Sequence, residues 1–160
     1  MTIPGRVLCV DYGSTRIGIA LTDPFRVISK PYLIITHRNA HDDMQSIVKI
    51  AHEQQVTKIV IGLPTNSTGG LSSQANRIVR WARKLSRLAP CPIVMWDESY
   101  SSILAQKIVN ANGSSRRRAR HAGQIDDVAA ATILADYLEA GGAFAEPGQP
   151  LEAYGAHTTS

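Results

Sequence analysis

The chain has 160 residues, of which 44% are hydrophobic and 19% charged, with a net charge of +4. That is long enough for one domain with a substantial core and too ordinary a composition for a fibrous or disordered protein. No apolar run approaches the ~20 residues of a membrane span, and the first residues hold no apolar signal core. Cys9 and Cys91 show neither metal-ligand spacing nor a disulfide framework. These features lead us to expect a cytoplasmic protein with reduced thiols. Its isoelectric point near 9.3 suits an anionic partner.

Three strands are predicted first: Arg6 to Asp11, Arg16 to Thr22, and Val27 to Thr36. Pro31 pushes the third toward a sheet edge or a bulge. Asn39 is a helix cap, and Met44, Ile47, Val48 and Ala51 follow at helical spacing, so 40–54 reads as a helix. The apolar run 57–62 reads as a strand buried on both faces. A polar loop over 65–71 leads to Ser72, which caps a helix with the stripe Ala75, Ile78, Val79, Ala82, Leu85 and Ala89. Pro92 to Trp96 is a fifth strand, ending at Asp97-Glu98. A helix through Ile103 to Val109 comes next, then a basic segment over 114–121. The last helix runs from about Ile125 to Glu139, ended by Gly141-Gly142. This order gives an α/β domain, a five-stranded mixed sheet with helices on its faces, over residues 1–140. The tail, 141–160, has no period and is expected to be loose.

Three acidic sites stand out. Asp11 ends an apolar strand and runs into a Gly turn. A carboxylate there is costly unless it is hydrogen-bonded or paired with a cation. Asp97-Glu98 ends another strand, where side-chain alternation lets only one of the pair face Asp11. Asp126-Asp127 opens the last helix, flanking an apolar face centred on Ala130, Leu134 and Tyr137, and periodicity alone does not choose between them. Three carboxylates on rigid elements suit divalent-metal phosphodiester chemistry. The plainer readings are an Asx turn at Asp11 and ordinary helix N-terminal charges at the other two sites. The small residues Ala129, Ala130 and Ala131 would let the last helix come close to the sheet. Arg116, Arg117, Arg118 and Arg120 fall within five residues and suit phosphate contacts. Only nine residues are aromatic, so backbone and shape are expected to be read in preference to bases. The histidines show no ligand spacing, and His121 is the one that falls beside the proposed site.

Four motifs in this order resemble the YqgF family of RNase H-like nucleases, described as candidate Holliday-junction resolvases or pre-16S rRNA nucleases. They are Asp11-Tyr-Gly-Ser-Thr-Arg-Ile-Gly-Ile-Ala20; Ile61-Gly-Leu-Pro64 with the loop after it and Ser73-Gln74-Ala75; Asp97-Glu-Ser-Tyr-Ser-Ser102; and Ile125-Asp-Asp-Val-Ala-Ala-Ala-Thr-Ile-Leu134. The resemblance covers roughly residues 6–140. It implies an RNase H-like fold and a nuclease with Asp11, Glu98 and Asp126 as catalytic metal ligands for Mg²⁺ or Mn²⁺. It also implies cleavage that leaves a 3′-hydroxyl and a 5′-phosphate in the 5′ region of precursor 16S rRNA, with a four-way DNA junction as the alternative. Arg16 and the Arg116–Arg120 cluster are the expected nucleic-acid contacts, in a monomer or homodimer. Ser99 stands where the family usually has Arg. Two other classes compete. A non-catalytic nucleic-acid-binding module would bind equally well with a chelator. Asp-x-Gly-Ser/Thr also resembles the phosphate loop of actin-like ATPases, but this length leaves no room for their second domain.

Overall fold

The run Val7-Leu8-Cys9-Val10 is apolar without alternation because its strand is covered on both faces, and all four residues are fully buried. The computed structural model describes residues 3–64, 71–98, 125–142 and 148–154. In it, β1 (Arg6–Tyr12) lies inside a mixed sheet of order β3-β2-β1-β4-β5-β6. β2 (Arg16–Thr22) returns antiparallel to β1, placing Gly18 opposite Asp11. β4 (Val56–Leu63) runs parallel to β1 on its other side, with Val10 paired to Ile61. β5 (Ile93–Asp97) is parallel to β4. Both crossover strands therefore bring their C-terminal ends to the edge where β1 ends.

β3 (Ser29–Thr36) is the outer strand on the β2 side. Its register slips where Leu33 pairs with Ile19 and Pro31 with Ala20, leaving Tyr32 as the extra residue. A proline has no N–H for the ladder, and an edge bulge absorbs the loss.

Helix α1 (Ala40–Glu53) starts at Asn39, whose side chain accepts from the Asp42 N–H at 2.9 Å. Helix α2 (Ser73–Leu88) starts at Ser72, whose hydroxyl accepts from the Ala75 N–H at 3.1 Å. Each cap satisfies a donor that the first helical turn leaves open. α1 and α2 cover one face of the sheet and bury Met44, Ile47, Ile78 and Leu85 against Leu8, Val10, Ile59 and Ile61. α3 (Ile125–Tyr137) covers the other face, where Ala130, Ile133, Leu134 and Tyr137 pack on Val7, Cys9, Val60 and Trp96. α3 closes in a wide turn over Leu138–Gly142, with Gly141 at φ 111°, as the two glycines suggested.

Arg26 fastens this end. It sits at φ 60° and is 8% exposed. Its guanidinium donates to the carbonyls of Gly5 (2.9 Å), Gly142 (3.0 Å) and Pro4 (3.3 Å) and to the Thr57 hydroxyl (3.1 Å). The end of α3 is thereby tied to the start of β1, and α3 runs back over the sheet from there.

Two expectations need correction. The sheet has six strands, and the chain from 148 to 154 is not loose. β6 (Gln149–Pro150) pairs antiparallel with Val94 and Met95. A 3-10 turn over Leu151–Tyr154 then buries Leu151 in the core beneath α2. Gly148, at φ 93°, makes the turn, and a Cβ there would meet the Met95 carbonyl at 2.9 Å. The physical reason is edge protection: β6 covers the open side of β5. The expected helix through Ile103 to Val109 and the basic segment lie outside the described residues.

Candidate active site

Alternation along β1 places Val7, Cys9 and Asp11 on the face covered by α3, while Leu8 and Val10 face α1 and α2. Along β5 the same rule places Val94 and Trp96 on the α3 face and Met95 on the other. Glu98, one residue past β5, continues the Val94–Trp96 side, so it shares a face with Asp11. β4 separates the two strands, and its residue at this level is Gly62, paired with Trp96.

Gly62 shapes the site. A Cβ there would sit 2.6 Å from Glu98 Oε1 and 3.0 Å from Ile133 Cδ1. The Glu98 carboxylate therefore lies over the bare backbone of β4, leaning from β5 toward β1. Any side chain at position 62 would push it away. The motif containing Gly62 was visible in the sequence, but the role was not. A glycine inside an otherwise apolar strand is the signal that could have found it.

The electrostatics agree with this geometry. Burial pushes the Glu98 carboxyl up from 4.5 to about 7, with the charges of Asp11 and then Asp97 adding to the rise. Burial also raises the Cys9 thiol well above its ordinary value, and Asp11 and Glu98 push it further the same way. Asp11 and Glu98 thus sense each other, and both act on Cys9 beneath them. Cys9 and Cys91 are both free thiols.

Beyond Asp11 the chain turns. The Gly13 N–H donates to the Arg16 carbonyl at 2.9 Å, closing the hairpin between β1 and β2. Gly13, Ser14, Thr15 and Arg16 line an open cleft of about 350 Å³, with Arg16 exposed at the start of β2. His37, passed over in the sequence for want of ligand spacing, holds this hairpin: its Nε2 is 2.8 Å from the Gly13 carbonyl and its Nδ1 2.9 Å from Asp43 Oδ2. His121, Ser99, Arg116, Arg117, Arg118 and Arg120 lie outside the described residues. Asp126 and Asp127 lie in the first turn of α3, and their side chains are outside what is described. Among the described residues no group of three or more His, Cys, Asp or Glu side chains is gathered as a metal site. Among the described carboxylates, Asp11 and Glu98 share the α3 face and act on each other electrostatically.

The family model described as RuvX: Holliday junction resolvase matches residues 5–140. The chain belongs to the RuvX (YqgF) family. It is 35% identical over 135 residues to a candidate pre-16S rRNA nuclease of Paracoccus denitrificans, covering 84% of each chain. It is 36% identical over 137 residues to a protein of the same name from Mycobacteroides abscessus, covering 84% of this chain and 81% of that one. Among solved structures, T. thermophilus RuvC in complex with a Holliday junction substrate aligns at a TM-score of 0.53 and 13% identity, over 91% of this chain and 99% of that one. The fold is the RNase H-like fold expected from the sequence. As a member of this family the protein is a nuclease, an enzyme that hydrolyses phosphodiester bonds. No helix among the described residues is long and apolar enough to cross a membrane.

Proposed function

We propose that the protein is a cytoplasmic, divalent-metal-dependent endonuclease that trims the 5′ region of precursor 16S rRNA, with Asp11, Glu98 and Asp126 as its catalytic carboxylates. The observation that carries this is the Glu98 carboxylate lying across Gly62 toward Asp11 at the shared C-terminal edge of β1, β4 and β5. Two half-buried carboxylates held this way are electrostatically uncomfortable, and Glu98 responds by keeping its proton up to about pH 7. A cation relieves that strain.

The donor set fits Mg²⁺ or Mn²⁺, which take hard oxygen ligands. Asp11 and Glu98 would hold the ion, with Asp126 as the third ligand. When bound, such an ion supplies an activated water and stabilises the leaving oxygen. Asp11 contributes a fixed carboxylate at the end of an interior strand. Glu98 would hold the ion as the deprotonated carboxylate.

The choice of Asp126 over Asp127 gains support from α3. Ile133, which reaches the Gly62 position beside Glu98, lies seven residues after Asp126, on the same helical stripe. The stripe through Asp127 continues to Leu134, which packs in the core. The buried set Ala130, Ile133, Leu134 and Tyr137 centres roughly 30° from position 126 and about 70° from position 127 on a helical wheel.

Arg16 borders the cleft beside Asp11, and Arg116, Arg117, Arg118 and Arg120 precede the third carboxylate in sequence. These are the proposed phosphate contacts to structured RNA, and cleavage leaves a 3′-hydroxyl and a 5′-phosphate. The names of the relatives favour RNA, whereas the description of the family model favours a four-way DNA junction as the second substrate. The deciding experiment incubates the protein with a labelled precursor 16S rRNA 5′ fragment and with a four-way DNA junction, each with Mg²⁺, Mn²⁺ or EDTA. Metal-dependent cleavage of the RNA supports the proposal. Cleavage of the junction alone transfers the function to the second reading, and binding without cleavage under every condition refutes both.

A further inference from the structure

His37 stands where β3 has ended and α1 has not begun, beneath the hairpin that follows Asp11. Four hydrogen-bonding interactions converge there. Its Nε2 lies 2.8 Å from the Gly13 carbonyl, and its backbone N–H donates to the Thr15 carbonyl at 3.2 Å. Its Nδ1 lies 2.9 Å from Asp43 Oδ2, while Asp43 Oδ1 accepts from the Arg38 N–H at 3.1 Å. Asp43 is 3% exposed, a buried acid in the first turn of α1. The His37 ring meets Tyr12 edge-on at 5.1 Å, and Tyr12 in turn rests on Trp81 of α2 at 4.6 Å. Gly13 is thus held to α1 through the His37 imidazole and Thr15 through the His37 backbone N–H, while Tyr12 packs directly on Trp81 of α2.

We propose that His37, oriented by Asp43, is a positioning residue of the nuclease, holding the Gly13–Arg16 hairpin so that Asp11 and Arg16 keep their places at the catalytic edge. The proposal rests on the role given above to Asp11.

Both ring nitrogens of His37 face acceptors, a carboxylate and a carbonyl. A neutral imidazole has only one N–H and satisfies one of them. The other nitrogen then sets its lone pair against an oxygen. The doubly protonated ring satisfies both. Burial works against that charge, but the hydrogen bonds to Asp43 and Gly13 and the Asp43 charge outweigh it, so the His37 pKa is raised. The groups facing His37 are Asp43 from α1, Tyr12 from β1 and, through Tyr12, Arg77 from α2. Tyr12 stays neutral over the working range, since burial and then Asp43 raise its pKa against the opposing Arg77. Asp43 therefore sets the charge on His37, and loss of that proton loosens the hairpin at Gly13.

The effect on the reaction is indirect. His37 does not touch Asp11, and its hold on Gly13 acts two residues along the chain. Groups that orient metal ligands from behind typically matter on the order of 10–100-fold in metal affinity or activity.

The test uses the full chain, wild type and the variants His37→Gln and Asp43→Asn. Amide NMR of the metal-free protein is followed between about pH 5 and 9. The wild-type amides of Gly13, Ser14, Thr15 and Arg16 are expected to shift together with the His37 ring, at a midpoint above the ordinary value of 6.5. Asp43→Asn lowers that midpoint, and His37→Gln abolishes the transition. In cleavage assays His37→Gln raises the Mg²⁺ or Mn²⁺ concentration for half-maximal rate by about tenfold or more, and raises substrate KM as Arg16 loses its place. Asp43→Asn moves the alkaline fall in kcat to lower pH, in step with the NMR midpoint. A residue that only supports the fold would lower the melting temperature and leave both readouts alone. Hairpin amides that ignore the His37 titration overturn the proposal, as does a His37→Gln variant with wild-type metal dependence. If a variant does not fold, the wild-type titration decides. If the hairpin responds but no substrate is cut, the nuclease assignment of Asp11 fails while the hold on the hairpin stands.

Discussion

Glu98→Gln should stabilise the metal-free protein at neutral and alkaline pH. The Glu98 carboxyl is raised from 4.5 to about 7, by burial first and by Asp11 second. A carboxyl whose folded pKa lies above its unfolded value carries no penalty below about pH 4.5. The penalty grows as pH rises from there to about 7 and is complete beyond it. At ~1.4 kcal/mol for each pH unit between the two values, the full penalty approaches ~3 kcal/mol. Glu98 keeps some contact with water, so ~1–3 kcal/mol is the expected range. Glutamine keeps the shape, cannot ionise, and escapes the penalty. The assay is urea unfolding of wild type and variant in EDTA at pH 5 and pH 8. The variant's advantage should be small at pH 5 and should grow by that amount at pH 8. Comparing the two proteins cancels His37, whose raised pKa gives both of them stability at low pH that fades as pH rises past it. Saturating Mg²⁺ should then stabilise wild type and leave Glu98→Gln nearly unmoved. An advantage that does not change between pH 5 and pH 8 would mean that Glu98 is well solvated and is not pressed against Asp11.

Gly62→Ala places a methyl group 2.6 Å from Glu98 Oε1, so it should cut the cleavage rate on the order of 100-fold. The strain should lower stability by only about 1–3 kcal/mol, measurable by denaturant melts. Arg26→Met removes four hydrogen bonds to groups at the chain start, the end of α3 and β4. The Gly142 bond is the buried one and the Pro4 carbonyl keeps the Thr57 hydroxyl, so at about 1–3 kcal/mol for a buried group left unpaired the loss should be roughly 1–3 kcal/mol in urea unfolding, while residual cleavage by the folded fraction stays normal. Replacing Arg116, Arg117, Arg118 and Arg120 together should weaken RNA binding and flatten its dependence on salt, because a protein that neutralises fewer phosphates releases fewer counterions. An unchanged slope would mark that cluster as solvated surface.

Most of the sheet was legible because its strands carry strong local signals. The apolar runs of β1 and β4 announce strands covered on both faces. Asn39 and Ser72 mark helix starts by the hydrogen bonds they make, and Pro31 marks the bulged edge. β6 was not legible, since two residues have no period and their place is set by the open edge of β5 far away in sequence. The shared face of Asp11 and Glu98 was legible only in part: alternation allowed one of Asp97 and Glu98 to face Asp11, and the motif resemblance, not the period, chose Glu98. The contributions of Gly62, His37 and Arg26 were hidden for a common reason. Each acts through a partner distant in sequence: Glu98 for Gly62, the Gly13 carbonyl for His37, and the Gly142 carbonyl for Arg26. No local pattern marks a residue whose work is to leave space or to satisfy a distant carbonyl.

The central claim is that Asp11 anchors a metal-dependent phosphodiester cleavage, and Asp11→Asn tests it most directly. The amide keeps the shape and removes the charge that would hold the ion. The measurement is the cleavage rate of the precursor 16S rRNA fragment by wild type and Asp11→Asn, each with Mg²⁺ and with EDTA, alongside melts that confirm both are folded. The account predicts cleavage by wild type with Mg²⁺ only. The variant should be folded and no less stable than wild type without metal, because Asp11 no longer presses on Glu98, and it should not cut. A folded Asp11→Asn protein that cuts at the wild-type rate, or a wild type that cuts equally well in EDTA, would contradict it.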